Sequence, residues 1–269
     1  MKTKIIVNYL IGFIISVLIS ITALSLIAKL TVFNKDYIIN LLEKENYFEK
    51  IYNEILEEME SDIMPSGFTN DIIKDTFTKD EVKEDIKTFI NNVYQGNKTT
   101  LDKELLKDKI KKNIDDFLLE SNLKITDKNG VNTFVNDLVK DYQDEVCLYS
   151  YTDGLINTFY KIYHIINKVV IVLLIVLFVL IFLAKLLFKY NYLSSSILAS
   201  GLIILFIRIF IYERIDADYL LVITENFSNI LTLIINTIGN YLLSIGIGLV
   251  VFGVITICQV FLKKCQNKR

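Results

Sequence analysis

The sequence predicts an all-α membrane protein with four spanning helices and an extracytoplasmic helical bundle inserted between the first span and the second. Three observations lead there. Of the 269 residues, 52% are hydrophobic and mean hydropathy is +0.43, beyond the usual range of soluble proteins. Four stretches are apolar over the roughly 20 residues a helix needs to cross the hydrocarbon of a bilayer. After the first of these the apolar residues stop being continuous and recur at three- and four-residue steps, the mark of helices with one buried face.

Residues 5–28 carry no charge, nor do 169–184, which Leu186, Leu187 and Phe188 extend; 193–212 hold only Arg208, and 226–262 hold none. The first stretch has the leading lysines of a signal peptide, but its apolar run exceeds the roughly 7 to 15 residues of an h-region and no A-x-A site closes it. It is expected to stay as an anchor rather than be cut after Ala23 or Ala28. Lysine and arginine near span ends set orientation. Lys2, Lys4, Lys185, Lys189, Lys263, Lys264, Lys268 and Arg269 have no acid among them, whereas residues 34–163 hold 27 acidic residues against 17 lysines. The loop after span three adds Glu213, Asp216, Asp218 and Glu225 against Arg214. Both termini are therefore expected in the cytoplasm, with 34–163 outside the cell membrane. The expected divisions are span one (1–33), the acidic outer domain (34–163), and spans two to four (164–269) with a short outer segment at 213–236.

Within the outer domain, Ile38, Leu41, Leu42, Phe48, Ile51, Tyr52, Ile55, Met59 and Ile63 predict one helix, ended by Pro65 and Gly67. FTKDEVKEDI (77–86) sets Asp80, Glu81, Glu84 and Asp85 among three lysines and reads as the start of the next helix: a capping box of Thr78 and Glu81, Phe77 placed to staple onto Val82, and acids near the positive helix end. Lys79, Lys83 and Lys87, four apart, predict a solvated face with local ion pairs. Thr99 and Asp102 offer a cap for a helix carrying Leu101, Leu105, Ile110, Ile114, Phe117 and Leu118. Val131, Val135, Leu138, Tyr142, Val146 and Tyr149 mark another, running on through Phe159, Tyr160 and Tyr163 toward span two, with Gly154 as a break or bend.

Chemistry-bearing patterns are sparse. With one histidine, His164, there is no H-E-x-x-H and no paired-histidine metal site, and no G-x-S-x-G elbow accompanies it. An interfacial role at the outer membrane surface is the simpler reading of that ring. DKNGVNTFVNDL (127–138) has Asp127, Asn129 and Gly130 but lacks EF-hand spacing, so a turn opening a helix suffices. Cys147, Cys258 and Cys265 fall in three settings without metal spacing or an expected disulfide. No enzyme, cofactor or metal is expected.

In the spans, Arg208 is the deepest ionisable side chain, near an outer end where it can snorkel or meet Glu225. Ser196 and Ser200, four apart in span three, and Ser244, Gly246 and Gly248 in span four predict that these two spans pack on each other. Span two reads as lipid-facing. Residues 219–236 suit either a surface helix or a direct run into span four, with Asn236, Gly239 and Asn240 as a bend.

The run from Pro65 to Gly96, with FTKDEVKEDIKTFINNVYQG at its centre, resembles the outer segment of uncharacterised multi-pass membrane proteins of clostridia and related Gram-positive bacteria. The resemblance implies a bacterial cell membrane and an extracytoplasmic helical domain, and no activity. The leading expectation is a non-enzymatic membrane protein whose outer domain holds a partner protein, an envelope component or a cationic ligand. The alternative is a channel, transporter or export component, oligomeric through the small-residue faces of spans three and four. Expected partners are membrane lipid and a membrane or envelope protein, with no nucleic acid.

Overall fold

The computed structural model describes residues 2–97, 103–122, 127–147, 152–188, 193–214 and 225–266. Every regular element among them is helical: α1 (Lys2–Leu30), α2 (Lys35–Lys44), α3 (Tyr47–Ile63), α4 (Lys79–Gln95), α5 (Lys103–Glu120), α6 (Lys128–Cys147), α7 (Thr152–Phe188), α8 (Leu193–Arg214) and α9 (Glu225–Gln266), with short 3-10 turns at Met64–Ser66 and Asn70–Ile73. Four helical stretches are long and apolar enough to cross a membrane: Ile6–Leu30, Ile156–Leu186, Leu193–Ile211 and Leu231–Leu262. The shortest has 19 residues and, at 1.5 Å per residue, rises about 28 Å. Phe13, Phe178, Phe206 and Phe261 stand exposed along them, the surface expected of a chain solvated by lipid. The chain divides into two compact units, one comprising Met1–Tyr37 with His164–Arg269 and the other Ile38–Tyr163.

In the first, apolar unit, α8 packs along α9 and α1 packs on both. Small residues set the approach of α8 to α9. A Cβ at Gly201 would lie 2.8 Å from the Gly246 carbonyl oxygen and 2.8 Å from the Val250 nitrogen, and one at Gly253 would lie 2.7 Å from Cβ of Leu198. Ser196 Oγ donates to the Gly12 carbonyl (3.0 Å) and Ser20 Oγ approaches the Ser200 carbonyl (3.3 Å). Ile27, Ile204 and Leu242 close a buried cluster among the three helices. Position numbers rise together along α1 and α8 and fall along α9, so α1 and α8 run parallel and α9 runs against them. The expected lipid-facing character of span two does not extend to the side where Leu177, Leu180, Ile181 and Ala184 of α7 pack around Ile15 of α1.

In the second, acidic unit, the stripe expected over residues 38–63 forms as two helices instead of one. Asn46 sits between them in the left-handed region, φ 55°, which asparagine tolerates. A stripe kept at three- and four-residue steps would place an apolar side chain near position 45, where Glu45 and Asn46 stand. From α3 inward Ile51, Ile55, Met59 and Ile63 are all buried at four-residue steps, and α3 packs on α4 and α6. Pro65 lies in the 3-10 turn that ends it, followed by Gly67 at φ 80°.

Val82, Ile86, Ile90 and Tyr94 are the buried face of α4. Its cap, Gly96, is required twice over, by φ 70° and because a Cβ there would lie 2.6 Å from the Tyr160 ring. The Tyr94 ring meets Phe159 and Tyr163 edge-on at 5.1 and 5.5 Å, which binds the start of α7 into this unit. α5 buries Ile110 and Ile114 but leaves Leu105 exposed; α6 buries Val135, Leu138, Tyr142 and Val146. The expected cap at Thr99 and Asp102, with Leu101 and Tyr149, lies outside the described residues. α6 ends at Cys147, and Gly154 falls within the first turn of α7, which carries Phe159 to Tyr163 straight into the apolar run.

Candidate functional site

The stretch 77–86 opens α4 as its spacing predicts. Thr78 Oγ1 accepts the Glu81 N–H at 3.2 Å while Glu81 Oε2 accepts the Thr78 N–H at 2.7 Å, a complete capping box. Phe77 and Val82 are both buried. The lysines depart from expectation. Lys79 pairs with Glu49 (3.0 Å), and Lys83 and Lys87 both reach Glu43 (3.1 Å each), so the ion pairs join α4 to α2 and α3; the local pair, Lys87 with Glu84, is at 4.0 Å. Their ammonium groups lie 5.6 and 6.0 Å from the Phe48 ring centroid, where a long stem gains from both contacts. Hydrogen bonds from Lys83 and Lys87 hold the Glu43 carboxyl below its usual range.

A cavity of about 400 Å³ lies among α4, α5 and α6. Phe77, Asp85, Tyr142, Gln143, Leu106 and Val139 line it, and Asp80, Glu81 and Glu84 add three more carboxylates. Lys109 from α5 also borders it and is held by Glu81 at 3.1 Å. Asp85 is half-buried and accepts the Tyr142 hydroxyl at 2.6 Å; the Phe77 and Tyr142 rings meet edge-on at 5.2 Å. Burial raises the Asp85 carboxyl above its ordinary range, partly offset by the Tyr142 hydrogen bond. For Glu81, burial also pushes upward, but Lys109 and the Thr78 N–H outweigh it and the net shift is down. Gln143 is only 4% exposed. Sequence periodicity placed Asp85 on a solvated face and passed over Gln143. Yet position 143 lies four after Val139 and three before Val146, within the buried stripe of α6, and a glutamine there is a legible signal.

A second acidic feature runs between α3 and α6. Glu54, Glu58 and Asp62 of α3 confront Asp137, Asp141, Asp144 and Glu145 of α6. Buried oxygens of Glu54 (Oε2), Asp141 (Oδ2) and Glu145 (Oε2) have no hydrogen-bond partner. Burial, then the hydrogen-bonded Asp62 carboxyl, pushes Asp141 up to about 7; burial, then Glu58 and Glu54, pushes Glu145 up to about 7. Among the described residues no group of three or more histidine, cysteine or acidic side chains is placed to hold a metal ion.

This seam predicts a pH dependence. Both folded-state values lie above the unfolded ones of 3.8 and 4.5, so the seam's contribution is fullest below those values and is lost as pH rises through about 7. Glu43 and Glu81, with lowered values, act oppositely and lose their contribution as pH falls below 4.5. The acidic unit is expected to be most stable near pH 5 and to lose about 1 to 2 kcal/mol by pH 8, a figure discounted because the carboxyls are partly exposed. The buried Cys147 reports it: alkylation of full-length Cys258→Ser/Cys265→Ser protein, normalised to a small thiol at each pH, should accelerate between pH 5 and 8. Adding Asp141→Asn and Glu145→Gln should flatten the dependence. A flat profile without those changes would refute the pH dependence, and one that persists with them would rule the seam out as its source.

The other residues singled out in the sequence scatter. Asp127 Oδ1 accepts the N–H groups of Asn129 (2.9 Å) and Gly130 (3.0 Å), a turn that opens α6. Ser196 Oγ reaches the Gly12 carbonyl of α1, while the buried Ser200 turns its Oγ to the Ile197 carbonyl of its own helix (2.7 Å) and offers its own carbonyl to Ser20 of α1. Ser244 is exposed and donates to the Asn240 carbonyl of its own helix (2.9 Å), and a Cβ at Gly248 would meet nothing within 4 Å. Gly246 does face α8, where a Cβ would lie 2.8 Å from Leu205. Arg208 is partly buried on the helix face that carries Ile204 and Ile211. His164 is exposed on α7. The Glu225 side chain lies outside what is described. Residues 225–236 run directly into α9, which is helical through Asn236, Gly239 and Asn240.

No family model, curated protein or solved structure matches this chain.

Proposed function

We propose that the chain is a non-enzymatic, multi-pass membrane protein whose acidic helical unit is a binding domain displayed outside the cell membrane. The carrying observation is that Ile38–Tyr163 forms a compact unit with its own core, while the apolar helices supply an anchor. The parallel course of α1 and α8 against α9 supports alternating passage of the bilayer, with the basic ends of the sequence on one face. The acidic unit carries 26 acidic residues against 16 lysines, which suits a cationic ligand or partner. Among the described residues, a cavity between α1 and α7 is lined by aliphatic side chains such as Ile14, Val179 and Leu183 and lends a transport path no polar groups.

Topology is the first test. Because Cys147 is buried, the reporter is Ser61→Cys at an exposed site of α3. A membrane-impermeant maleimide should label it on intact cells and reach Cys265 only after permeabilisation; the reverse pattern overturns the reading. Reconstituted protein is expected to carry no ion or solute flux. Gradient-driven flux that survives excision of 38–163 would move the function to the apolar helices.

A further inference from the structure

We propose that the cavity among α4, α5 and α6 binds a small organic ammonium ion with an apolar body. The proposal rests on the binding-domain reading and gives that domain a ligand class. Four observations carry it.

Gln143 is the first. Its side chain lines the cavity, the residue is 4% exposed, and no hydrogen bond is made to its amide among the described residues. With its donors and acceptor uncommitted at the cavity wall, the amide is free to meet a polar group of an entering molecule. Asp85 is the second. Its carboxylate accepts a single hydrogen bond among the described residues, from Tyr142, although a carboxylate offers about four acceptor positions. Tyr142 fixes the carboxylate in place and leaves capacity for an N–H donor.

Charge balance is the third. Asp80, Glu81, Glu84 and Asp85 border the cavity against Lys109 alone, and Lys109 is already held by Glu81. The positive end of α4 is answered by the capping box, so it does not cancel this excess. An anion is repelled, and a neutral apolar molecule would desolvate Asp85 without compensation. Wall chemistry is the fourth. Phe77, Tyr142, Leu106 and Val139 offer aromatic and aliphatic surface to an apolar body. A bare metal ion would need six or more converging oxygens, which such walls do not provide. A volume of about 400 Å³ falls within the roughly 300 to 1,000 Å³ usual for small-molecule sites.

The test uses full-length protein in detergent and two probes that differ at one group, 2-phenylethylamine and 2-phenylethanol, with binding read by calorimetry. Both partition into micelles, and an empty-micelle titration is subtracted. The amine is expected to bind at least tenfold more tightly than the alcohol. Asp85→Asn, which keeps an acceptor for Tyr142, should weaken the amine at least tenfold and leave the alcohol unchanged. Leu106→Trp should fill the cavity and abolish both, while Glu57→Gln on the exposed side of α3 should change neither. Slow alkylation of Cys147 verifies that each variant is folded. Equal affinity for amine and alcohol, or amine binding untouched by both Asp85→Asn and Leu106→Trp in folded protein, overturns the proposal. If the amine fails to bind while Ser61→Cys is still labelled from outside, the ligand assignment falls and the displayed domain stands. Reversed labelling removes the domain reading whatever the calorimetry shows.

Discussion

Gly201→Leu is expected to destabilise the packing of α8 on α9 by about 3 kcal/mol or more, whereas Gly248→Leu should change it by less than about 0.5 kcal/mol. Both glycines are on apolar helices and both substitutions raise helix propensity, so composition alone treats them alike. Structure separates them. At Gly201 the first added carbon would already lie 2.8 Å from backbone atoms of Gly246 and Val250, which cannot rotate away as a side chain could. Three further carbons would force the helices toward the roughly 8 to 10 Å separation of ordinary packing and open the Leu198–Gly253 contact with them. At Gly248 nothing lies within 4 Å. Thermal stability in detergent, followed by size-exclusion recovery of the monodisperse peak, distinguishes the two. Gly201→Ala should fall between them. Similar losses at 201 and 248 would mean that α9 presents a different face to α8.

Ile55→Ala should lower the stability of the acidic unit by about 2 to 5 kcal/mol. Ile55 is fully buried in the middle of the Ile51–Ile55–Met59–Ile63 row, where α3 meets α4 and α6. Three carbons vanish there, and both neighbouring helices are tied by other contacts: Tyr142 to Asp85 and the lysines of α4 to Glu43 and Glu49. The space therefore cannot close cheaply. Out of a typical total of about 5 to 15 kcal/mol, such a loss exposes Cys147 far more often. Its alkylation rate in Cys258→Ser/Cys265→Ser protein should rise by roughly 30-fold or more, taking 1.4 kcal/mol per factor of ten. An unchanged rate would show that α3 is not central to that core.

Much of this architecture is legible in the sequence because its strongest signals are one-dimensional. Apolar runs without charge mark α1, α7, α8 and α9, and the Thr78–Glu81 pair marks the start of α4 through bonds that span only three residues. What stays hidden depends on direction. Periodicity shows that α4 has a charged face, but not that Lys83 and Lys87 lean to Glu43 while Asp85 turns to Tyr142, 57 residues away. The break at Asn46 was visible as a skipped beat in the apolar stripe, yet nine apolar positions outweigh one gap when a window is averaged. Small residues are equally ambiguous. Ser244 and Gly248 share a spacing with Ser196 and Ser200, but a spacing names a face and not its neighbour, and Gly201 and Gly253, which make the closest approaches, belong to no such repeat. The cavity was legible only at Gln143, a polar residue in the buried stripe of α6.

The bond from Ser20 to the Ser200 carbonyl joins residues 180 apart, which bears on how the protein is made. At roughly 5 to 20 residues per second, the first helix leaves the ribosome about 10 to 40 s before the segment it will lean on exists. α7 is made before α8 and packs around Ile15, but the partner of Ser20 is missing until residue 200 exists. The hydroxyls of α1 are ready for that interval, since Ser16, Ser20 and Thr22 each donate to a carbonyl one turn back, of Phe13, Ser16 and Leu18. Newborn α1 thus carries its own provision against a dry solvent, and late arrival of its neighbour exchanges one satisfied state for another.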